Sequence, residues 1–293
     1  MVRAFPYGFV YPVPIAWPAQ DDFELPSWVK PWDDTQRQIW RGVCIVLREL
    51  AKQEHNVVEF LIQPNGHKTG VNCRMFDQPC QEYDFFKALL GRPGFRHLEL
   101  SVLADEEDDD WSALQNGRLY EALSEAMDLE HLDFWFQIDA DQEIDLERIP
   151  KLRSMLPFHS WPKLQHFGLS RAIVRHEDLV SILQTLPSTI RSVELSELRF
   201  FDERPNPNHS RRGFLRRLRE DLEWRTRQPE DQPRIAFHTG AREGMTRQDC
   251  FDAEVASFVY GDGPNPFDQL DAVPNVQMGY ARDPLEPDYR VPE

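Results

Sequence analysis

Apolar residues recur along the chain in a six-residue pattern that fills its first, fourth and sixth places. The pattern occurs as Val57–Ile62 (VVEFLI), Phe95–Leu100 (FRHLEL), Leu129–Phe134 (LEHLDF), Leu164–Leu169 (LQHFGL) and Ile190–Leu195 (IRSVEL), with a degenerate sixth copy at Ile235-Ala236-Phe237. Successive side chains of a strand point to opposite faces, so the fourth and sixth places lie together on one face. Measured at the fourth place, the copies are 38, 34, 35 and 26 residues apart. Such intervals hold one strand and one helix per unit.

Helical spacing fills most of the intervals. Ile39, Val43, Leu47 and Leu50 form a stripe that predicts a helix over Thr35–Gln53, opened by a Thr35/Gln38 capping box. Further helices are expected over Tyr83–Leu90, Arg118–Met127, Ile149–Met155, Glu177–Leu186 and Arg212–Trp224. A last one is carried by Phe251, Val255, Phe258 and Val259 and stops at Gly261. Strand–helix alternation predicts an α/β fold with a parallel sheet of about five or six strands and helices on one face, a leucine-rich-repeat-like solenoid. The solenoid is expected over residues 33–260. It is flanked by a proline-rich segment at 1–32 and a proline-rich tail at 261–293, each with six prolines.

Composition narrows the functional classes. The 293 residues carry 50 Asp and Glu against 33 Lys and Arg, a net charge of −17, which opposes binding to phosphate backbones or anionic lipid surfaces. No nucleic-acid or membrane partner is expected. Four cysteines are too few for a disulfide scaffold and suit a reducing compartment, cytoplasmic or nuclear. Pro6, Pro12, Pro14 and Pro18 interrupt the apolar N-terminal run where a secretory signal would need a helix.

The repeat registry also assigns the outward face. Places three, five and seven are expected to be exposed, and places five and seven nominate Glu99, Ser101, Asp133, Trp135, Ser170, Glu194 and Ser196 as a binding face. Carboxylates beside a tryptophan suit a protein partner with a basic or partly apolar surface. Place three carries His97, His131 and His166 in successive copies. Ligands pointing one way from adjacent strands rarely converge on a tetrahedral metal, so these histidines read as a repeat consensus. The set His55, His67, Cys73 and Cys80 lacks zinc-ligand spacing, and no metal or cofactor is expected.

Two acidic runs, Asp105–Asp110 and Asp139–Glu147, follow the second and third strands without the glycine turn of a calcium loop. They read as solvated loops that would steer basic partners. Arg212, Arg216 and Arg219 lie opposite Phe214, Leu215, Leu218 and Leu222, the pattern of an amphipathic helix. None of the GxSxG, GxxxxGK[ST], GxGxxG or HExxH motifs occurs, so no catalytic residues are nominated.

Taken together, Phe95–Ser101 (FRHLELS), Trp161–Arg171 (WPKLQHFGLSR), Leu186–Leu198 (LPSTIRSVELSEL), Tyr260–Phe267 (YGDGPNPF) and Arg282–Tyr289 (RDPLEPDY) resemble the C-terminal part of filamentous-fungal F-box proteins with degenerate leucine-rich repeats. That resemblance implies a substrate-binding role in a ubiquitin-ligase receptor. An F-box opens with Leu-Pro and apolar helix, whereas Leu25-Pro26-Ser27-Trp28 runs into Pro31, so a Skp1-type adaptor is not expected to bind this chain. The expectation is a non-catalytic protein-recognition module. The alternatives are a binding or structural solenoid with no ligase link, and an enzyme using the acidic loop carboxylates.

Overall fold

The repeated places pair with themselves across parallel strands. In a computed structural model of the chain, the residues described are 33–34, 37, 40–62, 70–104, 112–138, 150–200, 207–239 and 249–268. The Thr35/Gln38 capping pair, His67, both acidic runs, Leu25–Trp32 and Arg282–Tyr289 lie outside them. The chain divides into two compact units, residues 1–164 with 186–189, and residues 165–185 with 190–293. Both are mixed α/β bodies with mostly parallel strands, and in neither does the sheet close on itself.

In the first unit the elements run α1 (Arg41–Lys52), β1 (Glu59–Leu61), β2 (Val71–Asn72), α2 (Gln81–Leu90), β3 (His97–Ala104), α3 (Ser112–Gln115), α4 (Arg118–Ser124) and β4 (His131–Ile138). β3 pairs with β4 along its whole length, His97 opposite His131 and Leu98 opposite Leu132. β1 and β2 share its other edge, meeting residues 97–99 and 102–103 respectively. Leu98, Leu100, Leu132 and Phe134 are all buried. Phe60, at place four of β1, meets Phe86 of α2 with ring centroids 6.3 Å apart, so this helix covers the face to which place four points. α1 packs on α2, burying Val43 and Leu47 and tethered by Arg37 to Glu82 at 3.2 Å.

Two helix expectations need correction. α4 begins after Gly117, whose φ of 81° lies in the left-handed region that glycine tolerates. It ends at Ser124, three residues early, because its last turn tightens to i→i−3 bonds from Glu125 to Ala122 and from Ala126 to Leu123. Met127 is thereby swung outward, and Ala126 and Leu129 are buried instead. Over Ile149–Met155 the described residues form no α-helix, only 3₁₀ turns at Leu152–Ser154 and Phe158–Ser160. Pro150 and Pro157 bracket a stretch too short for two helical turns, and each lacks the N–H a helix needs. Trp161 closes the stretch, buried, its Nε1–H donating to the Leu123 carbonyl at 3.0 Å.

The second unit comprises β5 (His166–Ser170), β6 (Ile173–Val174), α5 (His176–Thr185), β7 (Ser192–Ser196), β8 (Arg199–Phe200), α6 (Pro207–Asp221), β9 (Arg234–Thr239), β10 (Asp249–Cys250) and α7 (Asp252–Tyr260). The degenerate sixth copy is strand β9. β7 lies between β5 and β9 in parallel, with Phe167, Val193 and Ile235 at one level and Leu169, Leu195 and Phe237 at the next. β10 runs antiparallel to β9. Phe214 of α6 lies 6.3 Å from Phe237 of β9, and Phe214, Leu215, Leu218 and Leu222 are buried as the helical wheel requires.

β5 and β7 leave the sheet in the same way. Arg171 and Glu197, 26 residues apart, both have positive φ, 56° and 51°, and their side chains pair at 2.9 Å. Each leads into a two-residue strand, and these two strands, β6 and β8, pair in parallel as a small second ladder. Residues 261–268 of the expected tail pack on the second unit. Phe267 is buried against Phe237 and Phe251, and Asn265 donates to the Arg212 carbonyl at 3.1 Å.

Leu132 tests the registry, since it is buried and sits opposite Leu98. An unpaired buried carboxylate costs several kcal/mol against a total stability of about 5–15 kcal/mol. Leu132→Asp is therefore expected to abolish the cooperative urea transition followed by far-UV circular dichroism. A folded variant with an unshifted midpoint would refute the register.

Candidate functional site

Alternation along β3 and β4 sends His97, Glu99, His131 and Asp133 to the face opposite the buried leucines. Each strand contributes a His-Leu-carboxylate triplet, and the parallel register sets His97 beside His131 and Glu99 beside Asp133. The two imidazoles lie with centroids 4.0 Å apart. His131 Nε2 is hydrogen-bonded to Asp133 Oδ2 at 2.8 Å, and His97 Nε2 lies 3.3 Å from Glu99 Oε1. His97 Nε2 is shut off from solvent and is not oriented to hydrogen-bond to that oxygen. One donor atom from each of the four side chains lies within 4.8 Å of every other, and all four residues are half-buried. Among the described residues this is the group that gathers three or more metal-ligating side chains.

His166, the third histidine of the pattern, belongs to the other unit and is hydrogen-bonded to Ser192 Oγ at 2.7 Å. Place five of its strand holds Gly168 rather than a carboxylate, which ends the triplet series. His55, Cys73 and Cys80 do not assemble either: His55 Nδ1 accepts from the Val57 N–H, Cys80 donates to the Met75 carbonyl, and Cys73 is buried. All four cysteines are free thiols.

The second unit holds a more buried polar cluster on β7, β9 and α7. His238 Nδ1 lies 2.7 Å from Ser196 Oγ, which donates onward to Glu194 Oε1 at 3.3 Å. On the ring's other side Nε2 lies 3.3 Å from Asp252 Oδ1, an oxygen that also accepts the Phe237 N–H at 2.9 Å. Burial opposes the charged imidazole, yet hydrogen bonds to Asp252, Cys250 and Glu194 outweigh it and push the His238 pKa up to about 12. Burial would raise Asp252, but His238 and the Phe237 amide hold it below the ordinary carboxylate value.

Ser196, His238 and Asp252 have the side chains of a nucleophile, a base and an orienting carboxylate, so their chemistry needs deciding. Asp252 and Glu194 favour the charged imidazole, which makes His238 a poor acceptor for the serine proton. The Ser196 side chain is moreover only 1% exposed. This trio is an ionic knot that ties α7 to the sheet.

Of the expected binding face, Glu99, Asp133, Trp135 and Glu194 are half-exposed, whereas Ser101, Ser170 and Ser196 are buried. Ser101 is covered by Gly70, where a Cβ would stand 2.6 Å from the Ser101 carbonyl oxygen. Ser196 is engaged by His238, and Ser170 faces it in register where both strands turn at Arg171 and Glu197. On β5 and β7 place seven is thus the end of the strand, whereas on β4 the same place leaves Trp135 half-exposed on the face that carries Glu99 and Asp133. Of the arginines on α6, Arg216 pairs with Asp268 at 2.9 Å and Arg219 lies over the Phe258 ring at 4.9 Å, while Arg225, beyond the helix, pairs with Asp262 at 3.1 Å.

Alternation alone locates Glu99, Asp133, Trp135 and Glu194 on the partly exposed face. His238 and Asp252 carry no motif, because strand pairing and helix docking bring them together. No helix of the described residues is long and apolar enough to cross a membrane. No protein-family model, curated protein or solved structure matches the chain.

The knot dictates a pH dependence. The raised His238 pKa contributes stability that is fully present below 6.5 and is lost as pH climbs toward about 12. The lowered Asp252 pKa contributes stability present above 3.8 and lost as pH falls through its folded value. The urea midpoint is expected to fall as pH rises from 6.5 to about 7.5, before the thiols and phenols titrate, and His238→Gln is expected to flatten that slope. An equal slope in native and variant chains would show that His238 is not held charged.

Proposed function

We propose that the chain is a leucine-rich-repeat-like solenoid acting as a non-catalytic protein-recognition module, the substrate-binding part of an F-box-type ubiquitin-ligase receptor. One observation carries the recognition reading: Glu99, Asp133 and Trp135 lie partly exposed on one face of β3 and β4, in register, while the alternate residues of both strands are buried. Such a face is rigid, because its backbone is fixed by a parallel ladder. It combines a large aromatic surface with fixed negative charge. The partner is a protein segment with basic and partly apolar character, drawn in by the net charge of −17.

Recurrence of the same buried places within each unit supports the repeat architecture. The ligase link rests on the resemblance of the repeats, and cytoplasmic or nuclear placement goes with it. A solenoid without the ligase link is favoured instead by the sequence of Leu25–Trp32, which has Pro26 and Pro31 where an F-box would carry apolar helix.

Two measurements separate these readings. Mixed with a Skp1-type adaptor, the chain is expected to elute apart from it on gel filtration, and a stable one-to-one complex would assign adaptor binding to these residues. With a partner captured by the intact chain, Trp135→Ala is expected to weaken binding by about 2 kcal/mol, roughly 30-fold, with little change in stability. Asp133→Asn should slow association at low salt and become nearly silent at high salt. Unchanged affinity and salt slope in both variants would move the interaction surface away from β3 and β4.

A further inference from the structure

We propose that His97, Glu99, His131 and Asp133 form a binding site for a zinc-class divalent cation. The argument is geometric. Two residues at places three and five on each of two adjacent parallel strands make a rectangle of Cα positions, about 4.8 Å across the strands and about 6.7 Å along them. Four side chains rising from its corners can lean inward over the centre. They already do so, with donor atoms all within 4.8 Å of one another. Around a tetrahedral zinc, with ligand bonds of about 2.0–2.2 Å, neighbouring donors are about 3.4 Å apart. The required contraction is within the reach of imidazole and carboxylate rotations and leaves the backbone in place.

The chemistry of the donors fits the same ion. Two imidazoles with two carboxylates make a borderline set, which suits zinc, cobalt or nickel better than magnesium or calcium, whose preferred ligands are oxygens alone. His97 Nε2 is withdrawn from water and lacks a hydrogen-bond partner, a position a metal bond would satisfy. Three histidines pointing one way from neighbouring strands would make a poor tetrahedron. The carboxylates two residues on supply the missing corners, and His166, bonded to Ser192, stands outside the set.

This proposal does not rest on the recognition reading, because the chain alone is expected to bind the ion. The full chain is stripped with chelator and titrated with Zn2+ by calorimetry and with Co2+ by visible absorption. One equivalent is expected to bind, with the intense visible bands of four-coordinate cobalt and a rise in unfolding temperature on adding Zn2+. The His97→Ala/His131→Ala pair is expected to lower affinity about 100-fold or more. The near-isosteric Glu99→Gln/Asp133→Asn pair is expected to lower it about ten-fold or more and carries the test if the first pair fails to fold. His166→Gln should bind as the native chain does. Absence of saturable Zn2+ binding up to about a millimolar, or binding kept at native affinity in the Glu99→Gln/Asp133→Asn chain, would overturn the site. A chain that binds zinc while Trp135→Ala and Asp133→Asn leave partner affinity untouched keeps this proposal and loses the recognition reading.

Discussion

Everything in the molecule depends on strands that pair in parallel with each repeat place opposite its own copy. Leu98 meets Leu132, and Phe167, Val193 and Ile235 lie at one level. A slip of one residue would turn every buried leucine to the outer face and every carboxylate inward, a change no compensating contact could offset. The alternation that buries one ladder necessarily raises another on the opposite face. The polar arrays are therefore a by-product of the constraint that makes the core.

The two units use histidine and carboxylate differently within that constraint. On β3 and β4 the pairing runs along each strand, His97 with Glu99 and His131 with Asp133, and the residues stay half-buried. In the second unit His238 is gripped from both sides, by Ser196 and Glu194 on β7 and by Asp252 on α7. The first arrangement stays within one pair of strands, whereas the second commits its charges to holding a helix in place. Burial, more than residue type, separates a site from a rivet.

Spacing makes most of the strands and helices legible, because apolar places with period two or 3.6 are what burial on one face requires. It misreads the stretch before Trp161, where prolines confine the chain to 3₁₀ turns, and it extends α4 onto Met127, which a tightened last turn ejects. Ser101, Ser170 and Ser196 read as exposed because alternation carries no information about where a strand stops or what covers it. Gly70 over Ser101 and the turns after Ser170 and Ser196 decide that through tertiary packing. His97 and His131 are visible as a repeated residue. Their convergence with Glu99 and Asp133 is visible only once the register is known. His238 with Asp252 needs a docked helix, and no local pattern encodes that.

The exits of β5 and β7 have a consequence for how such a chain can grow. Arg171 and Glu197 adopt the same unusual backbone turn 26 residues apart, neither being the glycine or asparagine that usually occupies it. Each hands the chain to a partner strand of the second ladder before the next helix begins. The stretch from one turn to the next is thus a self-contained cassette, entering and leaving in the same orientation. Duplication of one such cassette would add a rung to both ladders with no new joint to invent, so lengthening by whole units is cheaper in conformational terms than inserting a few residues within one.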